Sequence, residues 1–279
     1  MGHASSRHEN FFSTQPRDIH ICTQEEGQDI LARAEYADNY RTACQLCSKN
    51  HKARTGQDYT ARPPTADSLQ FLRAIQTFPN WLKDYLPPVL YIIFLANSAD
   101  GGMPHTRQPN IICLPQYFEI DSEAGRKTFM HECIHVHQRT YPQLWDRVYY
   151  DVFEMEPYEG TFPDALVTRR RLNPDTLIQP HYMWKGRWVP IPIFSNTQMP
   201  VLGSIKIAYY NVKSGAWQSF IPPEMEEFFG QMSMAQAEHP NELSAYWLTD
   251  GVSADNRISA ALANELEELI VNLSNDEYN

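Results

Sequence analysis

The sequence predicts an α+β fold, because stretches with the periodicity of strands and of helices occupy separate parts of the chain. Residues 89–96 and 110–114 are short apolar runs with the length of buried strands. A helical stretch follows at 121–139, and two hairpin patterns follow at 182–194 and 204–221. We therefore expect a small mixed sheet packed on the helix of residues 121–139, a β-rich insertion and a helical C-terminal part.

Composition and charge narrow the class of protein. The chain has 279 residues and is 42% hydrophobic, which is enough for a substantial core. Its net charge of −11, from 34 acidic and 23 basic residues, argues against a nucleic-acid-binding surface. No apolar run reaches the length of a transmembrane helix. A nucleic-acid partner and a transmembrane segment are therefore not expected.

The N-terminus is polar and lacks the apolar segment of a secretory signal. It begins M-G-x-x-x-S, the acceptor pattern for N-myristoylation, but an ordinary disordered start explains the same residues and is preferred.

The chain has five cysteines, an odd number, and two of them form C-x-x-C. Without a secretory signal this usage favours a reducing compartment, so a cytoplasmic location is expected.

The chain is expected to divide into a disordered start, a helical N-terminal segment and one larger domain in three parts. Within that domain a helix is predicted over residues 67–78 from apolar residues at helical spacing, which are Leu69, Leu72, Ile75 and Phe78. The expected ranges are 1–18 for the disordered start, 19–62 for the helical segment and 63–279 for the domain, whose parts are 63–155, the β-rich insertion 156–221 and the helical C-terminal part 222–279.

A small Cys/His cluster lies in the helical N-terminal segment. Its members are Cys44, Cys47 and His51, which form C-x2-C-x3-H, with His20 and Cys22 upstream. This spacing is compatible with a second, structural zinc. A pair of reduced thiols on one helix over residues 25–47 accounts for the same spacing without any metal, and that interpretation is preferred.

Residues 131–135 read H-E-x-x-H inside a predicted helix for which Ser122 or Asp121 is a suitable N-cap. At about 100° per residue, His131 and His135 lie roughly 40° apart on one face, so their imidazoles can bind one Zn²⁺. Glu132 lies about 100° from His131 and can reach a water without ligating the metal. The alternative is a solvated helix that carries two histidines by chance.

A catalytic zinc site needs a third protein ligand. His137 is a poor one, because it lies about 240° round the helix from His131. The downstream candidates are Asp151, Glu154, Glu156, Glu159, Asp164, Asp175, His181, the glutamates within 224–238, His239 and Glu242. Glu242 has the best context, since Pro240 suits a first helical turn and an apolar-faced helix follows. A first-turn glutamate that only stabilises the helix dipole is the alternative.

These motifs resemble those of the zincin metallopeptidases. The order helix, strand, loop, strand before H-E-x-x-H is similar to the N-terminal half of that fold. The segment N-E-x-x-A at residues 241–245 resembles the one that supplies the third zinc ligand in gluzincins. The metzincin pattern is not met, because Gln138 and Tyr141 stand at its glycine and third-histidine positions. Gluzincins often carry an aspartate where this chain has Tyr246, which leaves open whether Asn241 or a backbone carbonyl orients a zinc-binding histidine.

The resemblance implies a zincin-like catalytic domain that hydrolyses peptide bonds in a peptide or protein substrate. One catalytic Zn²⁺ would be held by His131, His135 and Glu242, with Glu132 as the general base. In zincins an edge strand before the active-site helix binds the substrate backbone, so the resemblance implies this role for residues of the second predicted strand, namely Ile111, Ile112 and Cys113.

Two further substrate contacts are expected from the residues themselves. Tyr246 lies one turn beyond Glu242 and is expected to stabilise the oxyanion, with Tyr209, Tyr210 and Arg171 as alternatives. Arg171 ends a run of three arginines and can bind a substrate carboxylate, although such residues more often pair with acids of the protein itself.

Two other classes of function fit parts of this pattern. A catalytically silent zincin-like binding protein would keep the fold without needing Glu132. An adaptor whose only metal site is the Cys/His cluster of residues 20–51 would need neither motif. The presence of Glu132 favours catalysis.

Overall fold

The computed structural model describes residues 18–47, 59–198, 200, 204–249 and 257–276. Their architecture is α+β, as the sequence predicts. A four-stranded mixed sheet is formed by β1 (Asp18–Ile21), β2 (Val89–Leu95), β3 (His105–Arg107) and β4 (Ile111–Pro115). The strand order is β1-β2-β4-β3, with β3 antiparallel to β4 and the other pairs parallel.

The N-terminal segment is part of this sheet, because β1 pairs with β2 along its whole length. It continues as α1 (Gln24–Asp38) and α2 (Tyr40–Cys47). One helix over residues 25–47 was expected, but Asn39 adopts a left-handed conformation with φ of 53° and separates the two. The structure does not bear on the structural-zinc alternative for the Cys/His cluster, since His51 and the side chains of Cys44 and Cys47 lie outside the described residues.

Helices α3 (Ser68–Ile75) and α4 (Asn80–Lys83) cover one face of the sheet. Asp67 caps α3 and accepts a hydrogen bond from the backbone of Gln70. The helix buries Phe71, Ala74 and Ile75, whereas Leu69 is 52% exposed, so its apolar face is rotated from the expected one. A short turn, Ala99–Gly102, follows β2 and leads to β3.

The H-E-x-x-H stretch lies on α5 (Glu123–Thr140), which packs against the sheet through Phe129, Cys133 and Ile134. Ser122 is the N-cap, and its hydroxyl accepts from the Gly125 N–H. A side chain at Gly125 would meet the carbonyl oxygen of Glu119 at 1.9 Å, so only glycine fits this start. Helix α6 (Pro142–Phe153) follows directly, with Pro142 in its first turn.

The β-rich insertion is a five-stranded antiparallel sheet in sequential order. Its strands are β5 (Met155–Tyr158), β6 (His181–Trp184), β7 (Trp188–Phe194), β8 (Ile205–Asn211) and β9 (Trp217–Gln218), with the short helix α7 (Asp164–Val167) between β5 and β6. Both predicted hairpins are present.

The C-terminal part is helical, as expected. It contains α8 (Pro223–Phe229), α9 (Met234–Ala237), α10 (Pro240–Thr249) and α11 (Arg257–Asp276). Helix α10 packs against α5, and this contact brings the two chemical motifs of the sequence together. No helix in the described part of the chain combines the length and apolar character needed to cross a membrane.

A buried polar cluster ties α1 to β3. Arg107, whose side chain is fully buried, donates two hydrogen bonds to Asp38, at 2.7 and 2.6 Å. It also donates to Glu35 at 3.0 Å and to the hydroxyl of Tyr59 at 2.9 Å. Tyr59 in turn contacts the ring of His105. These charge-assisted bonds fix the short strand β3, which forms one wall of the cleft described next.

Candidate metal centre

Two helices present three metal-binding side chains to one point. His131 and His135 project from one face of α5, and Glu242 projects from the first turn of α10. Their ligand atoms, both histidine Nε2 atoms and the Glu242 carboxylate, lie close enough together to hold one ion. The sequence predicted these three residues, and the structure places them together.

The donor separations fit a tetrahedral zinc ion. The two Nε2 atoms are 3.0 Å apart, and they lie 3.3 Å (His131) and 3.6 Å (His135) from the nearest Glu242 oxygens. Metal–ligand bonds of about 2.0–2.2 Å at tetrahedral angles would separate neighbouring donors by roughly 3.4 Å. Two imidazoles and a carboxylate are also the donors that zinc prefers in hydrolytic sites.

The electrostatics of the site favour a positive charge. Burial raises the pKa of Glu242, but the two neighbouring histidines lower it well below its usual range. Burial lowers the pKa of His135, but the carboxylates of Glu242 and Asp175 raise it to about 10. The negative potential that favours protonation of His135 will also attract a divalent cation. The proton and the cation will compete for the same ring nitrogen.

Gln138 orients His135 and fixes which ring nitrogen faces the site. Its amide nitrogen donates to the backbone oxygen of Asn241 at 3.0 Å and to Ser244 Oγ at 2.9 Å. Because a backbone carbonyl can only accept, the Gln138 oxygen must face the other way, where it contacts His135 Nδ1 at 2.8 Å. His135 therefore carries its proton on Nδ1 toward Gln138, and Nε2 is left for the metal.

Gln138 is thus the partner that orients His135, whereas Asn241 or a backbone carbonyl was expected to orient a zinc-binding histidine. Asn241 supports this arrangement indirectly, because its backbone oxygen accepts a hydrogen bond from the Gln138 side chain. Its side-chain oxygen accepts from the hydroxyl of Tyr149 at 3.0 Å, which anchors the start of α10 to α6. Asn173 holds the third ligand, donating to Glu242 Oε1 at 2.6 Å.

Glu132 lies beside the three donors but is not one of them. Its side chain is buried, and no donor in the described part of the chain bonds to its Oε2 atom. Burial raises the pKa of Glu132 well above its usual range, and the Asp175 carboxylate raises it further, while His135 opposes the shift. A buried carboxyl group with an unsatisfied oxygen, next to a metal-binding triad, is suited to take and release a proton.

The site opens into a cleft of about 550 Å³. It is lined by the segment that leads into β3 and by residues of α9 and α10. Tyr246 lines the cleft, and its ring contacts the ring of His131 edge to face at 4.7 Å. Arg171 also lines it, but its guanidinium is already paired with the buried carboxylate of Glu238.

The expected substrate-binding strand is wrong. Ile111, Ile112 and Cys113 lie on β4, which is paired on both sides by β2 and β3 and does not line the cleft. The edge strands of this sheet are β1 and β3, and β3 is the one that contributes to the cleft lining. Its outward backbone N–H at Thr106 already donates to Asp175 at 2.6 Å, so a substrate strand cannot pair with that donor.

Two of the other candidates for a third ligand form ion pairs elsewhere. Asp151 is next to Arg147, and Glu154 is next to Lys185. The role of Asn173 in holding Glu242 was not predicted, and Asp175 and Glu238 were considered only as ligands. The signal in the sequence for Asn173 and Asp175 was the polar turn Asn173-Pro174-Asp175, which follows the three arginines and Leu172 and lines the cleft.

His239, a further candidate ligand, instead supports the start of α10. Its Nδ1 accepts from the Asn241 N–H at 3.1 Å, and its Nε2 donates to the Pro180 carbonyl at 3.0 Å. Burial lowers the pKa of His239 from 6.5 to about 4. Because its pKa is lower in the folded state, its stabilising contribution is present above pH 6.5 and is lost as the pH falls toward 4.

We therefore expect acid to destabilise this helix start. Between pH 7 and 4.5, protonation linked to His239 should remove on the order of 2 kcal/mol from the free energy of unfolding. Urea unfolding at both pH values, with a chelator present so that metal release does not contribute, measures the loss. A His239→Gln variant should be less stable at pH 7 yet lose less on acidification, and an equal loss in both proteins would contradict the assignment.

The site can hold a divalent cation between two histidines and a glutamate, next to a buried carboxyl group and an open cleft. The candidate function must be inferred from these side chains. Comparison of the chain with protein-family models, with curated proteins and with solved structures found no match in any of the three.

Proposed function

We propose that the protein is a zinc-dependent peptidase, with a zincin-like arrangement of its mixed sheet and the helix α5. One observation carries the proposal. His131, His135 and Glu242 converge at donor separations that suit tetrahedral zinc, and the buried Glu132 lies beside them at the floor of a cleft. A purely structural zinc site is normally closed by four protein ligands, whereas three ligands and an adjacent cleft are typical of a catalytic site.

Each part of the site has a chemical role in this proposal. A bound zinc ion would act as a Lewis acid toward a peptide carbonyl and would lower the pKa of a water molecule toward 7. Glu132 accepts the proton of the attacking water and passes it to the leaving amine. Gln138 and Asn173 hold His135 and Glu242 in the orientation that ligation requires.

The electrostatics of Glu132 fit this role. Its raised pKa makes the carboxylate a stronger base than an exposed glutamate would be. A divalent cation at the neighbouring donors would oppose the shift and keep the group ionised in the loaded protein. Tyr246, next to His131 on the cleft wall, is the residue we assign to stabilise the oxyanion.

Hydrolysis of unstructured protein substrates tests the proposal. Zinc-loaded protein should cleave casein or a peptide library and generate new amino termini. Cleavage should stop when 1,10-phenanthroline removes the metal and return when zinc is added back. A His131→Ala/His135→Ala variant, purified in parallel, controls for contaminating proteases. Cleavage that persists with the chelator, or no cleavage by protein shown to contain zinc, would contradict a zinc peptidase.

A further inference from the structure

The turn between β2 and β3 places a buried carboxylate, that of Asp100, in the lining of the cleft. Asp100 lies in the turn Ala99–Gly102 with φ of 48° and ψ of 37°, a left-handed conformation that is uncommon outside glycine. It lines the cleft and is only 2% exposed. The hydroxyl of Tyr40 donates to its Oδ2 at 2.6 Å, which holds the side chain in place.

The second oxygen of Asp100 lacks a donor. Within the part of the chain that the structure describes, nothing donates a hydrogen bond to Oδ1. An unsatisfied buried acceptor is costly, and more so when it belongs to a charged group. A buried carboxylate oxygen without a donor, in a residue that lines the cleft, indicates a ligand that supplies the missing donor.

The charges around the cleft indicate the sign of the charge that such a ligand would carry. Besides the zinc site and Glu132, the lining contains the carboxylates of Asp100, Asp175 and Glu238. The lining also contains Arg171, whose guanidinium lies within electrostatic range of Asp100. This guanidinium is bonded to Glu238. Lys127 lies at the edge, about half exposed and 3.6 Å from Glu123. The interior therefore has more carboxylates than cations and suits a positively charged group.

Two exposed methionines are part of the cleft lining. Met103 follows the turn that contains Asp100 and is 41% exposed, and Met234 of α9 is 52% exposed. Methionine side chains adapt their shape to flexible aliphatic partners. Apolar methionines together with an acidic lining match a side chain with a long aliphatic stem and a cationic head, which among the amino acids means lysine or arginine.

We propose that the cleft binds a lysine or arginine side chain of the peptide substrate, with its charged head at Asp100 and its stem along Met103. This inference rests on the proposed peptidase function for the identity of the ligand as a peptide. Asp100 would then determine specificity without taking part in proton transfer.

Binding of matched peptides to inactive, zinc-loaded Glu132→Gln protein tests the inference. The probes are a blocked alanine peptide with a central lysine and the same peptide with norleucine, which keeps the stem and lacks the charge. Calorimetry should give about tenfold tighter binding of the lysine peptide, as expected for a hydrogen bond to a charged group. Equal affinity for the two peptides would overturn the inference, and this comparison needs no change at Asp100.

The preference should disappear in an Asp100→Asn/Glu132→Gln protein. Asparagine tolerates the left-handed conformation and can still accept from Tyr40, so the fold is retained. Asp29→Asn in the same background makes the same charge change on the exposed face of α1 and should leave the preference intact. A lysine preference that survives Asp100→Asn would overturn the assignment of Asp100.

Cleavage by the wild-type enzyme separates this inference from the proposed function. Equal cleavage of the lysine and norleucine peptides would contradict the basic subsite and leave the peptidase standing. Selective binding of the lysine peptide with no cleavage of either would support the subsite and contradict the peptidase.

Discussion

Replacement of Glu132 by glutamine is expected to abolish hydrolysis while zinc stays bound. Glutamine has nearly the same shape but cannot accept a proton, and Glu132 is not among the three donors. General-base catalysis contributes about 10²–10⁴-fold to the rate, so kcat should fall by about that factor. Rates on a fluorogenic peptide and zinc content by elemental analysis should be measured on the same preparation.

Glu123→Gln is the matched control for this experiment. It makes the same change on the same helix, at a side chain that is 81% exposed in the first turn of α5. Its kcat should stay close to that of the wild type. If Glu132→Gln keeps full activity with zinc bound, Glu132 is not the general base. If zinc is lost as well, its role is in metal binding.

The largest effect on stability is expected at Arg107. This guanidinium is fully buried and is bonded to Asp38, Glu35 and Tyr59. Arg107→Met removes the cation and leaves Asp38, whose side chain is 4% exposed, without its main partner. Breaking a buried ion pair from one side typically costs about 3–5 kcal/mol, which we expect to see in the free energy of unfolding by urea.

An exposed ion pair in the same protein provides the comparison. Arg147 and Asp151 lie 3.3 Å apart on α6, with side chains 64% and 38% exposed. Arg147→Met should change the free energy of unfolding by about 0.5 kcal/mol or less, because water already solvates both groups. Similar losses in the two variants would mean that the α1–β3 cluster contributes little. Since β3 also forms a cleft wall, Arg107→Met should in addition weaken peptide binding.

The three convergent side chains of the candidate metal centre could be predicted because local geometry determines most of their arrangement. Helical spacing alone places His131 and His135 on one face of α5, whatever the remainder of the fold does. Glu242 was identifiable because Pro240 and the following apolar residues define the start of a helix. What the sequence could not supply was the contact between α5 and α10, which depends on packing between segments far apart in the chain.

The edge of the sheet could not be predicted, for a different reason. The strand β3 is only three residues long and reads His105-Thr106-Arg107, which has no apolar alternation. It is held by the buried contacts of Arg107 with α1 and by the bond from Thr106 to Asp175. Such tertiary contacts leave no local pattern, so β4 was taken for the edge strand. The role of Asn173 was hidden in the same way, because it bonds Glu242 from another part of the chain. Gln138 lies three residues from His135 on the same helix, but its bonds to Asn241 and Ser244 depend on the packing of α5 against α10.

Zinc stoichiometry tests the central claim most directly. Elemental analysis should find about one zinc per chain in the wild type, none above background in His131→Ala/His135→Ala, and a weakened, easily chelated zinc in Glu242→Ala. Circular dichroism would confirm that each variant is folded. Zinc that stays at the wild-type level in both variants would contradict the metal centre and would point to the cysteines of the N-terminal segment as the ligands.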